Sequence, residues 1–160
     1  MSGSAAAFPA FFDRHYAELS RLAYLLTGDA SSADDLAADA LSRVRRDWRG
    51  GGDDPAARAR GLVAALTRHR ERWSRFGPGH RPGAGTAPDL RAALRRLPHR
   101  RRVCVVLRYA YGLSEGEVAR TLGITAGAVR SRTARGVRQL SALLGGAPAV
   151  THRGGWEAAR

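Results

Sequence analysis

The sequence predicts an all-α protein: two small helical domains, a three- or four-helix bundle and a helix-turn-helix unit, joined by a flexible linker. Three observations carry this expectation. Apolar residues recur at helical spacing through most long segments. A Gly/Pro-rich stretch, SRFGPGHRPGAGTA at residues 74–87, divides those segments into two sets. Within the second set, Ser114 to Leu144 carries a cap, a short helix, a glycine turn and a second helix.

The first helix is expected over 9–27. Phe8, Phe12, His15, Leu19, Leu22 and Leu26 share one face, widened by Phe11 and Ala23, and Gly28 closes it. His15 on that apolar face is a core or boundary histidine, since no partner stands at metal-ligand spacing. The second helix is expected from about Ser32 to Trp48, with Ala33, Leu36, Ala37, Ala40, Leu41, Val44 and Trp48 inward. Asp34, Asp35 and Asp39 face away. Ser31 with Asp34 would form a capping box, which leaves Asp39 in the second turn without a capping role. Arg43, Arg45, Arg46 and Arg49 make the end of that helix basic.

After Gly50 to Asp54, Pro55 opens a third helix. Leu62, Val63, Leu66 and Trp73 should face inward, with Arg58, Arg60, Arg68, Arg70 and Arg72 outside. Pro88 or Asp89 starts a fourth helix through Leu90, Ala93, Leu94 and Leu97. Pro98 starts a fifth, with Val103, Val106, Leu107 and Ala110 on its core side. Residues 146–160 return to Gly/Pro/polar composition and are expected to be a disordered tail.

In the last unit, Ser114 and Glu117 form a capping-box pattern, and Val118, Ala119 and Leu122 define a buried face. Gly123 turns the chain, Ile124 can bury and Thr125 can cap the next helix. Val129, Val137, Leu140 and Leu144 point inward, and small Ala119 opposite Gly123 should let the two helices cross closely. Arg130, Ser131, Arg132, Arg135 and Arg138 are left outside. An Arg-rich face behind such a turn points to DNA, because arginine suits guanine O6/N7 and phosphate alike.

Charge supports this. All 27 basic residues are Arg, and the formal net charge is +13. Residues 1–73 hold 11 Arg against 10 acids, whereas 74–160 hold 16 Arg against Asp89, Glu115, Glu117 and Glu157. Attraction to DNA is therefore concentrated in the second half. Without Lys there is no Walker A motif. Scattered His15, His69, His80, His99 and His152 form no catalytic constellation, so no enzyme, metal or cofactor is expected. The single Cys104 lies in an apolar run and is expected to be buried. No run is long enough to span a membrane and no signal peptide is visible, which predicts a cytoplasmic protein.

With these elements in place, the chain resembles the extracytoplasmic-function (ECF) group of the bacterial sigma-70 family over about residues 8–144. The resemblance is strongest from Leu97-Pro98 to Leu144, which is similar to the family's σ4 pattern. It implies a σ2-like domain at 8–73, a linker at 74–87, a σ4-like domain at 88–145 and a tail at 146–160. It also implies partners: the β′ clamp helices and β flap of core RNA polymerase, promoter DNA and an anti-sigma factor. Contact with the upstream (−35) element falls on Thr125, Ala126, Gly127, Arg130, Ser131, Arg132 and Arg135. Arg132 stands where many such motifs keep an aliphatic residue. Tyr24 to Asp29, followed by Ala33 to Leu36, is similar to the segment gripping the clamp helices, which gives the polymerase contact to Asp34, Asp35, Leu36 and Asp39.

Ala38 stands where the family usually has Gln. Arg58-Ala59-Arg60-Gly61 and Ala64-Ala65 replace the aromatic residue and Asn usual in the third helix. For the downstream (−10) element this leaves Arg45, Arg46, Trp48, Arg49, Arg58 and Arg60. Trp48 either stacks on a base or completes the core stripe. The implied function is a sigma factor that brings polymerase to a promoter. The alternatives are a helix-turn-helix regulator without a polymerase role and a degenerate sigma acting as a protein-binding decoy.

Overall fold

The computed structural model describes residues 3–48, 54–74 and 89–145. Arg49, the loop Gly50 to Asp53, most of the 74–87 linker and the tail with Trp156 lie outside the described residues. Among the described residues there are seven helices and no strand: α1 (Gly3–Thr27), α2 (Ala30–Arg46), α3 (Pro55–Ser74), α4 (Leu90–Arg96), α5 (His99–Tyr109), α6 (Glu115–Leu122) and α7 (Ala126–Leu143). None is long and apolar enough to cross a membrane.

Helix α1 begins earlier than its periodicity suggests, with Pro9 inside it. It ends at Gly28, whose φ of 75° closes the helix with its N–H on the Tyr24 carbonyl, 2.7 Å away. The start of α2 departs from the expected Ser31 box. Asp29 is the cap, and its carboxylate accepts from both the backbone and the hydroxyl of Ser32. One side chain thus satisfies an orphan donor of the first turn and fixes a buried Ser. Leu19, Leu22, Ala23 and Leu26 then bury against Ala33, Leu36, Ala37, Ala40, Leu41 and Val44, with Ala59, Val63 and Ala64 of α3 completing the front bundle.

Two expectations for α3 change. Trp73 is 69% exposed, its indole N–H donating to His69 Nε2 at 2.9 Å. Arg60, expected outside, is pulled inward by Glu18 of α1 at 2.7 Å. Burial works to raise the Glu18 pKa, but hydrogen bonds from Arg60 and then His15 outweigh it, and the carboxyl lies below its usual range.

Helix α5 is the axis of the molecule. Arg102, Val103, Cys104, Val105, Val106 and Leu107 are all buried, so the helix is covered on every side, while Ala110, expected in the core, is exposed. Helix α7 lies close against it. A Cβ on Gly136 would come within 2.6 Å of a Val105 methyl, so the absence of a side chain there sets the approach. The close crossing expected at Ala119 and Gly123 is not where the space is short. A Cβ on Gly123 would meet nothing within 4 Å, and this glycine serves its left-handed φ of 63°.

The two helical units share one hydrophobic core. Helix α3 runs against α6 so tightly that a Cβ on Gly61 would lie 2.4 Å from the Thr121 carbonyl oxygen. The Tyr111 hydroxyl donates to the Glu18 carbonyl at 2.9 Å, and burial pushes its pKa up to about 12. Thr67 and His99 Nε2 are 2.9 Å apart.

At the centre of this junction Arg102 is 5% exposed. Its Nε donates to the Leu94 carbonyl, one terminal nitrogen to the Leu26 carbonyl and the Glu71 carboxylate, and the other to the Arg95 and Leu97 carbonyls. The ends of α1 and α4 bring carbonyls together here, and a planar cation with five donors serves them at once, the Leu94 carbonyl also accepting the Leu97 N–H at 3.1 Å.

Replacing Arg102 with Ala leaves those acceptors in the core and Glu71 uncompensated. Urea unfolding of Arg102→Ala should show a loss of about 3–5 kcal/mol. A second outcome concerns His99, whose pKa burial and then the nearby Arg102 lower to about 4. The unfolded chain binds a proton near pH 6.5 that the folded chain refuses, so stability is complete above that pH and falls as pH drops towards 4. The loss by pH 4 should be roughly 3 kcal/mol and should be absent in His99→Gln.

Candidate nucleic-acid interface

The helix-turn-helix is fixed by short-range chemistry. Ser114 Oγ accepts the Glu117 N–H at 3.2 Å, and the Glu117 carboxylate accepts the Ser114 N–H at 2.7 Å, so both halves of the capping box are made. Thr125 Oγ1 accepts the Ala128 N–H at 3.2 Å and starts α7. Val118 and Val129 are fully buried beneath the turn. With that face committed to the core, Thr125, Ala126, Gly127, Arg130, Ser131, Arg135 and Arg138 are all exposed on the outer side of α7.

Two side chains depart from the expected set. Arg132 is half-buried and turns towards Cys104 of α5. Burial raises the pKa of that thiol, with Arg132 acting against the rise. Glu115, missed by sequence reasoning, accepts from Arg130 Nε at 3.1 Å and from Arg130 Nη2 at 2.8 Å. The hydrogen bond from Arg130 holds the Glu115 carboxyl below its ordinary range. Fifteen residues separate the two, and no helical period links them.

On the front bundle, Asp34 and Asp35 are exposed at the start of α2. Asp34 accepts from Ser20 Oγ at 2.5 Å. Asp39 is held by Arg43, with Nε at 3.0 Å and Nη2 at 3.2 Å. Leu36 does not join this surface, being 7% exposed within the core. The helical period puts Leu36 on the Ala33–Ala40 stripe, so an outward contact would empty a core position.

The basic end of α2 is also divided. Arg46 is exposed, and the Arg45 guanidinium lies 5.9 Å from the Phe8 ring centre. Arg58 is paired with Asp47. Trp48 packs into an aromatic cluster, 5.3 Å from Phe8 and 5.0 Å from Phe11 between ring centres, with its indole N–H buried and no acceptor among the described residues. Of its two sequence roles, the structure places Trp48 at the end of the core stripe. No group of three or more His, Cys, Asp or Glu suited to a metal occurs among the described residues.

Comparison with known proteins follows the same lines. A family model described as sigma-70, region 4, matches residues 88–140. The ECF RNA polymerase sigma factor SigM of Mycobacterium tuberculosis is 31% identical over 158 residues, covering 91% of this chain and 81% of that protein. SigL of the same species is 32% identical over 168 residues, covering 90% of this chain and 94% of its own length. Among solved structures, the Bartonella quintana sigma factor RpoE, crystallised with the anti-sigma factor NepR, shares the fold with a TM-score of 0.67. It is 22% identical and covers 87% of this chain and 97% of that chain.

The inward turn of Arg132 separates it from its neighbours on α7. Arg132→Leu should leave the salt dependence of DNA binding by the full chain unchanged, whereas Arg135→Ala should flatten the log–log salt slope by roughly 0.9. Filter-binding titrations across a salt series distinguish the two.

Proposed function

The chain belongs to the ECF RNA polymerase sigma factors, and from that premise we propose that it binds core RNA polymerase and directs initiation at promoters whose −35 element is read by α7. The observation that carries this reading is the outer face of α7: a capped helix end and a row of arginines, exposed together and facing away from the core. Helix N-termini and Arg side chains at such a face suit phosphate and guanine respectively. The protein's part is that of a specificity subunit, with residues 88–145 on the −35 element and residues 8–73 on polymerase and the −10 element.

For the polymerase contact the reading assigns Asp34, Asp35 and Asp39, which project from α2 opposite its buried stripe. Leu36 acts behind them by fixing the helix. A partner surface rich in Lys or Arg, as the β′ clamp helices would supply, fits that row. The β flap is assigned to residues 88–145. An anti-sigma factor, the kind of partner present in the B. quintana complex, would compete for these surfaces.

For the −10 element, exposed Arg45 and Arg46 are the available phosphate contacts, and Arg58 can exchange Asp47 for a phosphate. Arg60 is only 18% exposed at the α1–α3 junction, where Glu18 occupies it. Its use requires the guanidinium to leave Glu18. Separation of the two units is what the promoter asks for. Elements centred about 25 base pairs apart lie roughly 85 Å apart along the duplex. The longest helix here, of 25 residues, measures only about 38 Å. The linker at 74–87 can extend to at most roughly 50 Å, enough to let the two units part and sit on successive elements.

The test is transcription from genomic DNA by purified bacterial core polymerase with and without the chain. Promoter-specific transcripts and copurification with core are expected. Asp35→Arg with Asp39→Arg should abolish copurification while the circular-dichroism spectrum is unchanged, since exposed helix charges shift stability by only about 0.5 kcal/mol. Copurification of the double variant at the wild-type level would reject α2 as the contact. Absence of any transcript from the wild type would reject the initiation role itself.

A further inference from the structure

We propose that Glu115 is a specificity-positioning residue, which clamps the Arg130 guanidinium side-on and presents its free end to a guanine of the −35 element. The inference rests on the reading of α7 as the DNA-reading helix and adds to it a residue from the other helix of the motif.

A guanidinium has two edges that can make paired hydrogen bonds. The side edge, Nε and Nη2, is taken: the Glu115 carboxylate accepts from Nε at 3.1 and 3.3 Å and from Nη2 at 2.8 Å. The end edge, the remaining hydrogens of Nη1 and Nη2, has no hydrogen-bond partner among the described residues. Arg130 is 72% exposed and Glu115 31%, so the pair stands at the surface with the arginine outermost. The free end carries two parallel donors, the arrangement that matches guanine O6 and N7.

The pairing also settles which DNA group Arg130 serves. The carboxylate beside it cancels the cation locally and would repel a phosphate. The pair therefore adds little to counterion release, which scales with the phosphates neutralised. Exposed Arg135 and Arg138, for which no acidic partner is found among the described residues, are left to supply that non-specific term. Glu115 is itself fixed, because it occupies the first residue of α6 directly after the Ser114 cap. The turn through Gly123 thus aligns a carboxylate on one helix with a guanidinium on the next.

The experiment uses the full chain, a library of duplexes with a randomised central segment, and then the selected duplex with each base pair changed singly. Wild type is expected to prefer G·C at one position by roughly 5- to 150-fold, the range for a bidentate arginine–guanine pair. Glu115→Gln keeps the length of the side chain and the helix start but removes the charge. It should reduce that preference to a few-fold, strengthen binding to unselected duplex and steepen the salt slope by roughly 0.9. Arg130→Ala should abolish the preference, and adding Glu115→Gln to it should change nothing further at that position.

A residue that served only the fold would lower the melting temperature in Glu115→Gln and leave the base preference intact. That result overturns the inference, as does a preference that survives Arg130→Ala. If the wild-type chain selects no sequence at all, the DNA reading beneath the proposal fails instead, and the clamp fails with it.

Discussion

The guanidinium of Arg102 stands where the ends of two helices, a third helix and the central helix meet. Four carbonyls, from Leu26, Leu94, Arg95 and Leu97, and the Glu71 carboxylate converge on it. A helix that ends in the interior must find donors for its last carbonyls, and water is excluded here. Lysine, with three donors on one nitrogen, could not reach acceptors spread around a plane. The position of α1 relative to α4, and so of the front bundle relative to the helix-turn-helix, follows from satisfying this one cation.

Around that junction the molecule allocates its charges by depth. Arginines near the junction are spent on structure: Arg102 on carbonyls, Arg60 on Glu18, Arg91 on the Tyr24 hydroxyl at 2.5 Å. Arginines on the far face of α7 are left in water. The high net charge is thus not one undifferentiated attraction. Part of it holds the fold, and the remainder is displayed where a duplex can approach.

The same junction ties the two units together. Its contacts are polar and specific at their centre, with a close backbone approach at Gly61 and a hydroxyl hook at Tyr111. Parting the two units would cost these hydrogen bonds.

Local chemistry made much of this legible in the sequence. The Ser114–Glu117 box, the Gly123 turn, the Thr125 and Asp89 caps, the Gly28 stop and the apolar stripe of α2 all arise from residues within a few positions of one another, where helical geometry alone fixes the contact. The all-α class and the outward arginines of α7 follow from that periodicity. Tertiary structure decided what periodicity leaves open. It turned Trp73 out and Arg132 in, buried Arg102, drew Arg60 to Glu18 over 42 residues and set Glu115 against Arg130. A helical period states which residues share a face, but not which face meets another helix or where along its length. Those are set by how helices cross, through small residues such as Gly61 and Gly136 that permit approach and through buried donors that must find acceptors wherever the chain brings them.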